Sequence, residues 1–174
     1  INFQDSKGLS ALHFAVDYDG TPEDRAAMVT FLLSAGANPM LRNNDDVSPI
    51  EKVIKNGDVE LFRLIKPRIP DINQVIPKER SGSEVSLLSL SVQEIQPVIM
   101  QEILTTTGVT VDAIVTDTVK GPRENSFLKE LTDELSTFQG EMTALGMAVA
   151  KNQYKMAVAL LEKSADANAV ITLP

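Results

Sequence analysis

Two stretches of this chain share one pattern. Gly8-Leu9-Ser10-Ala11-Leu12-His13-Phe14-Ala15 stands near the start, and Met142-Thr143-Ala144-Leu145-Gly146-Met147-Ala148-Val149 near the end. Each leads through an apolar run into a turn of small residues, Ser34-Ala35-Gly36-Ala37-Asn38 in one case and Ser164-Ala165-Asp166-Ala167-Asn168 in the other. Internal repetition constrains a fold more than any single motif, because a short unit cannot bury its apolar face alone and must stack on a neighbour.

The repeated phrase has the grammar of a helix start. Ser10, Ser48, Ser86 and Thr143 open the successive copies, each standing just before a predicted first helix. Pro49 suits a first helical position, since its missing donor costs nothing there. First helices are predicted over 11–18, 49–56, 87–93 and 144–151, and second helices over 24–33, 58–65, 97–105 and 153–163. In the first unit Thr21 or Asp24 can cap the second helix. The stripes of the second helices, Val29, Leu32, Leu33, Leu61, Leu64, Ile65, Ile99, Ile103, Leu104, Val158, Leu160 and Leu161, are the predicted core. Burial of each such side chain contributes about 1.5–3 kcal/mol.

These residues resemble the ankyrin repeat, a unit of roughly 33 residues that reads Asp-x-x-Gly-x-Thr-Pro-Leu-His-x-Ala-Ala and closes, after a Leu-rich second helix, on Gly-Ala-Asp-Val-Asn. Four copies follow in order. The first has Asp5, Gly8, Ser10, Leu12, His13 and Gly36-Ala37-Asn38; the second opens at Ser48-Pro49-Ile50-Glu51, has Gly57 between its helices and closes at Asp71-Ile72-Asn73. The third runs from Ser86-Leu87-Leu88-Ser89 to Val111-Asp112, and the fourth from Thr143 to Asn168. Ile1-Asn2 stands where a preceding turn would end, so the natural protein is expected to continue in at least one direction. The resemblance implies an all-α ankyrin-repeat helical solenoid with β-hairpin loops, one domain over 1–174, with repeats near 5–42, 43–75, 81–113 and 140–170 and an insertion over 114–139. Its openings are 38, 38 and 57 residues apart, longer than the family's unit. The extra chain falls between the first two helices, in the second hairpin loop (74–83), and in the insertion.

That insertion carries its own pattern. Gly121-Pro122 breaks the chain, Asn125 or Ser126 can cap, and Phe127, Leu128, Leu131, Leu135 and Phe138 recur at helical spacing before Gly140. An amphipathic helix is predicted, which either folds back on the third and fourth repeats or docks a partner.

Composition excludes several classes of function. Sixteen Lys plus Arg against 24 Asp plus Glu leave a net charge of −8, which repels a phosphate backbone, so nucleic acid is not an expected partner. No apolar run approaches the roughly 18 residues of a membrane span, and the first residues lack the order of a signal peptide. The chain has no cysteine and one histidine, which leaves no Cys/His zinc cluster and no thiol nucleophile. The acidic groups around Asp19, Asp45 and Asp133 lack calcium-loop spacing, and nucleotide-cradling glycine motifs are absent. No cofactor, no metal and no catalysis are expected.

What remains is recognition. The resemblance implies that a protein partner meets the hairpin tips and the exposed side of the first helices, and that His13 bonds backbone across the turn between repeats. On this sequence the partner-binding positions become Phe14, Tyr18, Asp45, Asp46, Lys52, Lys55, Asn56, Gln93, Glu94, Met147 and Lys151, on a frame set by Ser10, His13, Gly36, Ser48, Pro49, Gly57 and Thr143. Glu51, Ser89 and Gly146 replace the motif histidine in later copies, which predicts an interrupted polar ladder. The run from Leu160 to Asn168 resembles sites of asparaginyl hydroxylation, with Asn168 the acceptor. A monomeric, cytoplasmic interaction module is the expected function. The alternatives are the recognition arm of a larger enzyme and a structural spacer. The eroded, unequally spaced repeats are also similar to ankyrin effectors that intracellular bacteria deliver into the host cytosol.

Overall fold

The computed structural model describes residues 1–77, 84–113, 115–120 and 137–165. The chain divides into two compact units, Ile1–Ile72 and Asn73–Pro174, and the described residues are mostly helical.

The first unit holds α1 (Ala11–Val16), α2 (Pro22–Ser34), α3 (Pro49–Asn56) and α4 (Val59–Ile65), followed by a 3-10 turn at Lys66–Arg68. Consecutive helices form antiparallel pairs that stack, α1 on α3 and α2 on α4. Each start has a physical cause. Thr21 Oγ1 accepts the Asp24 N–H at 3.1 Å ahead of Pro22, Ser48 Oγ accepts from Glu51 ahead of Pro49, and Asp58 accepts from the Leu61 N–H at 3.0 Å. Asp58 also pairs with Arg25 of α2 at 2.8 Å, so one carboxylate caps α4 and ties it to its neighbour.

The loop ahead of each pair is built the same way in both copies. Asp5 Oδ1 accepts the N–H groups of Lys7 and Leu9 at 2.9 and 2.8 Å; Asn43 Oδ1 accepts those of Asp45 and Val47 at 3.0 Å each. The left-handed residue that follows is Gly8 (φ 76°) in the first loop and Asp46 (φ 64°) in the second. Gly8 is required for space as well, since a Cβ there would stand 2.7 Å from the Asn44 backbone nitrogen, whose N–H donates to the Lys7 carbonyl at 2.9 Å.

The second unit begins with a short antiparallel pair, β1 (Ile76–Pro77) with β2 (Glu84–Val85), then α5 (Leu87–Gln93) and α6 (Pro97–Leu104). A longer antiparallel ribbon follows, β3 (Val115–Lys120) with β4 (Thr137–Met142), registered from Val115 opposite Met142 to Lys120 opposite Thr137. α7 (Ala144–Ala150) and α8 (Tyr154–Glu162) complete the unit, α7 stacked on α5 and α8 on α6. The turn between helices uses a left-handed residue in three copies, Gly57, Ile95 and Asn152, at φ 69°, 57° and 56°.

All eight described α-helices lie where the sequence predicts them; β1 falls within the predicted second hairpin loop, 74–83, of which 78–83 lie outside the described residues. The insertion departs from prediction. Phe138, the expected last apolar residue of an amphipathic helix, and Gly140, its expected stop, both lie in β4; the rest of the predicted helix, 127–136, lies outside the described residues. Of the predicted core, Leu32 and Val158 are half-buried while Leu64 and Leu161 are exposed; the other eight residues are buried.

Candidate protein-interaction surface

The polar frame beneath the surface is set by residue 13. Ser10 N–H donates to His13 Nδ1 at 3.0 Å, with the Ser10 hydroxyl at 2.9 Å. Nδ1 is therefore the acceptor and Nε2 carries the proton, which it donates to the Val47 carbonyl at 3.1 Å. One imidazole caps α1 and holds the next repeat's loop. Burial lowers its pKa below the ordinary value of 6.5, Lys52 adds to the lowering, and the Val47 bond and the Asp17 and Asp5 carboxylates oppose it.

Later copies do this differently. Glu51, fully buried, accepts the Ser48 N–H and hydroxyl on Oε2 at 2.8 and 3.0 Å. Its Oε1 lies 3.7 Å from Arg42 Nη2, while Arg42 Nη1 donates to Asp46 at 3.0 Å. Ser89 accepts the Ser86 N–H at 2.8 Å and donates back to the Ser86 carbonyl at 3.0 Å. Gly146 has no side chain, and only its N–H takes part, donating to Thr143 Oγ1 at 3.2 Å. The reach of this side chain thus runs from the next loop, to a neighbouring arginine, to its own turn, to nothing.

A second polar device uses asparagine. Asn2 donates to the Gly36 carbonyl at 3.2 Å and accepts the Asn38 N–H at 2.8 Å. Asn73 repeats both bonds, to the Gly108 carbonyl and from the Thr110 N–H, at 2.7 Å each. Gly36 and Gly108 supply the left-handed turns, at φ 85° and 80°.

Above this frame, the ends of the first helices face water. Tyr18, Lys55 and Asn56 are exposed, and Gln93, Glu94 and Lys151 are half-exposed. Lys52 pairs with Asp17 of the neighbouring helix, and Asp45 stands exposed at a loop tip with Asp46 half-buried beside it. One predicted position is covered. Met147 is fully buried because the fourth residue after the cap points toward the preceding helix pair. Phe14 shares that place in α1 and is 57% exposed, in an apolar groove formed with Ala11, Tyr18, Met28, Phe31 and Leu32. Gly20 leaves room for the Tyr18 ring at its rim. Sequence reasoning missed Met28 and Phe31 as surface residues, although their spacing with Leu32 is that of one helix face. Asn168 lies outside the described residues. Among the described residues no cluster of three metal-ligating side chains occurs, and no helix is long and apolar enough to cross a membrane.

Comparison with known proteins names this architecture. The ankyrin-repeat family model matches residues 7–44, the first helix pair with part of the loop on either side. Comparison with curated protein sequences found no match. Among solved structures the chain is similar to the ankyrin-repeat domain of Bcl-3, described as a unique member of the IkappaB protein family, at 18% identity with a TM-score of 0.70. The similarity covers 98% of this chain and 62% of that one, so the chain spans less than two thirds of that domain. Domains with this fold generally bind protein partners and act as scaffolds without catalysis of their own. The first helix pair thus matches an ankyrin repeat, and the chain as a whole has the ankyrin-repeat fold.

Proposed function

We propose that the chain is a protein-interaction module that reads its partner with loop tips and with the ends of its first helices. One observation carries this reading: in every copy the second, third and fifth residues after the cap are buried, while the seventh and eighth, at the end of the first helix, are exposed or half-exposed. These residues are Asp17 and Tyr18, Lys55 and Asn56, Gln93 and Glu94, Ala150 and Lys151. A position kept in register but varied in chemistry suits selective recognition, with aromatic and cationic groups as anchors. In the first unit an aromatic residue stands at the end of α1, an exposed lysine at the end of α3 and an exposed acid, Asp45, on the loop ahead of α3, which suits a partner segment presenting acidic, basic and apolar side chains.

The test is site-specific photo-crosslinking from position 55 or position 94 in the full-length protein, with Glu60 on α4 as the control. Adducts should form at the first two positions, and Tyr18→Ala and Lys55→Glu should each weaken binding of the captured protein by more than about 1 kcal/mol. Adducts from Glu60 alone, with affinity unchanged in both variants, would place recognition on the other side of the repeats.

A further inference from the structure

The first helix pair shows an apolar face that its counterpart keeps covered. Counting from the caps Ser10 and Thr143, Ala11 and Phe14 stand at the places of Ala144 and Met147. Counting back from the left-handed turns at Gly36 and Ser164, Met28 and Leu32 stand at the places of Met156 and Leu160. In the fourth pair, seated on α5 and α6, all four residues are buried. In the first pair Ala11 and Phe14 are exposed, Met28 and Leu32 are half-buried, and Phe31 beside them is 70% exposed. The side chains are of the same kind in both pairs; only the neighbour differs.

The opposite faces behave as the inverse. Val16 is 2% exposed where α1 meets α3, while Val149 at the same place in α7 is 64% exposed. Leu33 and Leu161 form a second such pair, one buried and the other exposed. Burial at these positions therefore reports whether a helix pair lies against that side.

Asn2 supplies an independent sign. Asn73 follows the second helix pair in the chain and bonds the turn that closes the third, through the Gly108 carbonyl and the Thr110 N–H. Asn2 makes the same two bonds to the turn that closes the first pair. It therefore occupies the place of a residue that ends a preceding repeat.

We propose that the groove of Ala11, Phe14, Met28, Phe31 and Leu32 is the seat of a further helix pair of this same kind, carried by the polypeptide ahead of Ile1 and covering the groove with aliphatic residues at the places of Val16 and Leu33. An exposed two-helix apolar face with two phenylalanines is unfavourable in water, and a stacked repeat removes it without new chemistry. This goes beyond the partner surface proposed above: it lies on the stacking face, and Lys55 and Glu94 have no part in it.

The experiment compares residues 1–174 with the chain extended upstream by the residues its own reading frame encodes. On extension, amide exchange along 11–16 and 28–33 should slow by at least tenfold, and the melting temperature should rise. Phe14→Lys with Phe31→Glu should remove both effects while helicity by circular dichroism is retained. If that double variant unfolds, Phe31→Glu alone, at a side chain that is 70% exposed, gives the same reading. An upstream sequence that encodes no helix pair, or an extension that leaves exchange unchanged, would overturn the proposal. So would concentration-dependent association of residues 1–174 that the double variant abolishes and the extension does not, since the occupant would then be a second copy.

Discussion

The most direct test of the folded frame is acid. The chain has one histidine, and it lies fully inside the first unit as a neutral ring whose Nδ1 accepts from Ser10 and whose Nε2 donates to Val47. Protonating Nδ1 would point a donor at the Ser10 N–H and break the cap, so the folded state resists the proton and its pKa is lowered. The unfolded chain binds that proton near pH 6.5. Below that point it holds more protons than the folded chain, and stability falls with pH. The contribution of His13 is thus complete above about pH 6.5 and is lost as pH falls toward the lowered folded value, at about 1.4 kcal/mol for each unit of lowering. Urea unfolding followed by far-UV circular dichroism at pH 5.5, 6.5 and 7.5 should show the loss, and His13→Gln should flatten it. That variant keeps an oxygen acceptor for the Ser10 N–H, as Glu51 does for Ser48 at 2.8 Å. His13→Ala leaves the buried N–H unpaired, a penalty of about 1–3 kcal/mol to which the lost ring volume adds. A wild-type profile that is level between pH 5.5 and 7.5, or one whose slope survives in His13→Gln, would refute this account.

Three further outcomes follow from the geometry. Gly8→Ala should destabilise the first unit by more than about 1 kcal/mol, because a side chain there meets both left-handed strain and the Asn44 backbone; a melting curve like that of wild type would show that the two loops separate freely. Glu51→Ala should cost more than about 2 kcal/mol in chemical denaturation, since it strips the Ser48 N–H and Arg42 of a buried carboxylate, and an unchanged midpoint would contradict the role given to this residue. Asn73→Ala should cost about 1–2 kcal/mol through its two bonds and speed hydrogen exchange at the Thr110 amide, with unaltered exchange there as the opposing result.

The helix pairs were legible in the sequence because their starts are local chemistry. A hydroxyl cap before an apolar run acts within four residues, and Ser48, Ser86 and Thr143 all accept the N–H three residues on. The β3–β4 ribbon was not, although Val115, Thr116, Thr118 and Val119 carry a strand composition. A six-residue strand whose partner lies some twenty residues away gives no short-range signal, and Phe138 fits the tail of a helical stripe equally well. The misplaced surface residue has a different cause. Whether the fourth position of a first helix is open or covered depends on which pair lies beside it, and a single repeat contains no information about its neighbour. Phe14 and Met147 have the same local sequence role and opposite burial.

The shortening of the side chain at the place of His13 has a consequence for how the molecule comes apart. In a linear array, cooperativity depends on the coupling between adjacent modules as much as on the strength of each. His13 couples one helix pair to the next loop through a titratable ring, whereas Ser89 turns back on its own cap and Gly146 offers only backbone. At this position the second unit relies on apolar stacking, to which protons are indifferent. Mild acid should therefore bear on the first unit through the cap of α1 rather than through the link to the next loop, since a protonated ring still donates to the Val47 carbonyl, and it should leave this position of the second unit untouched.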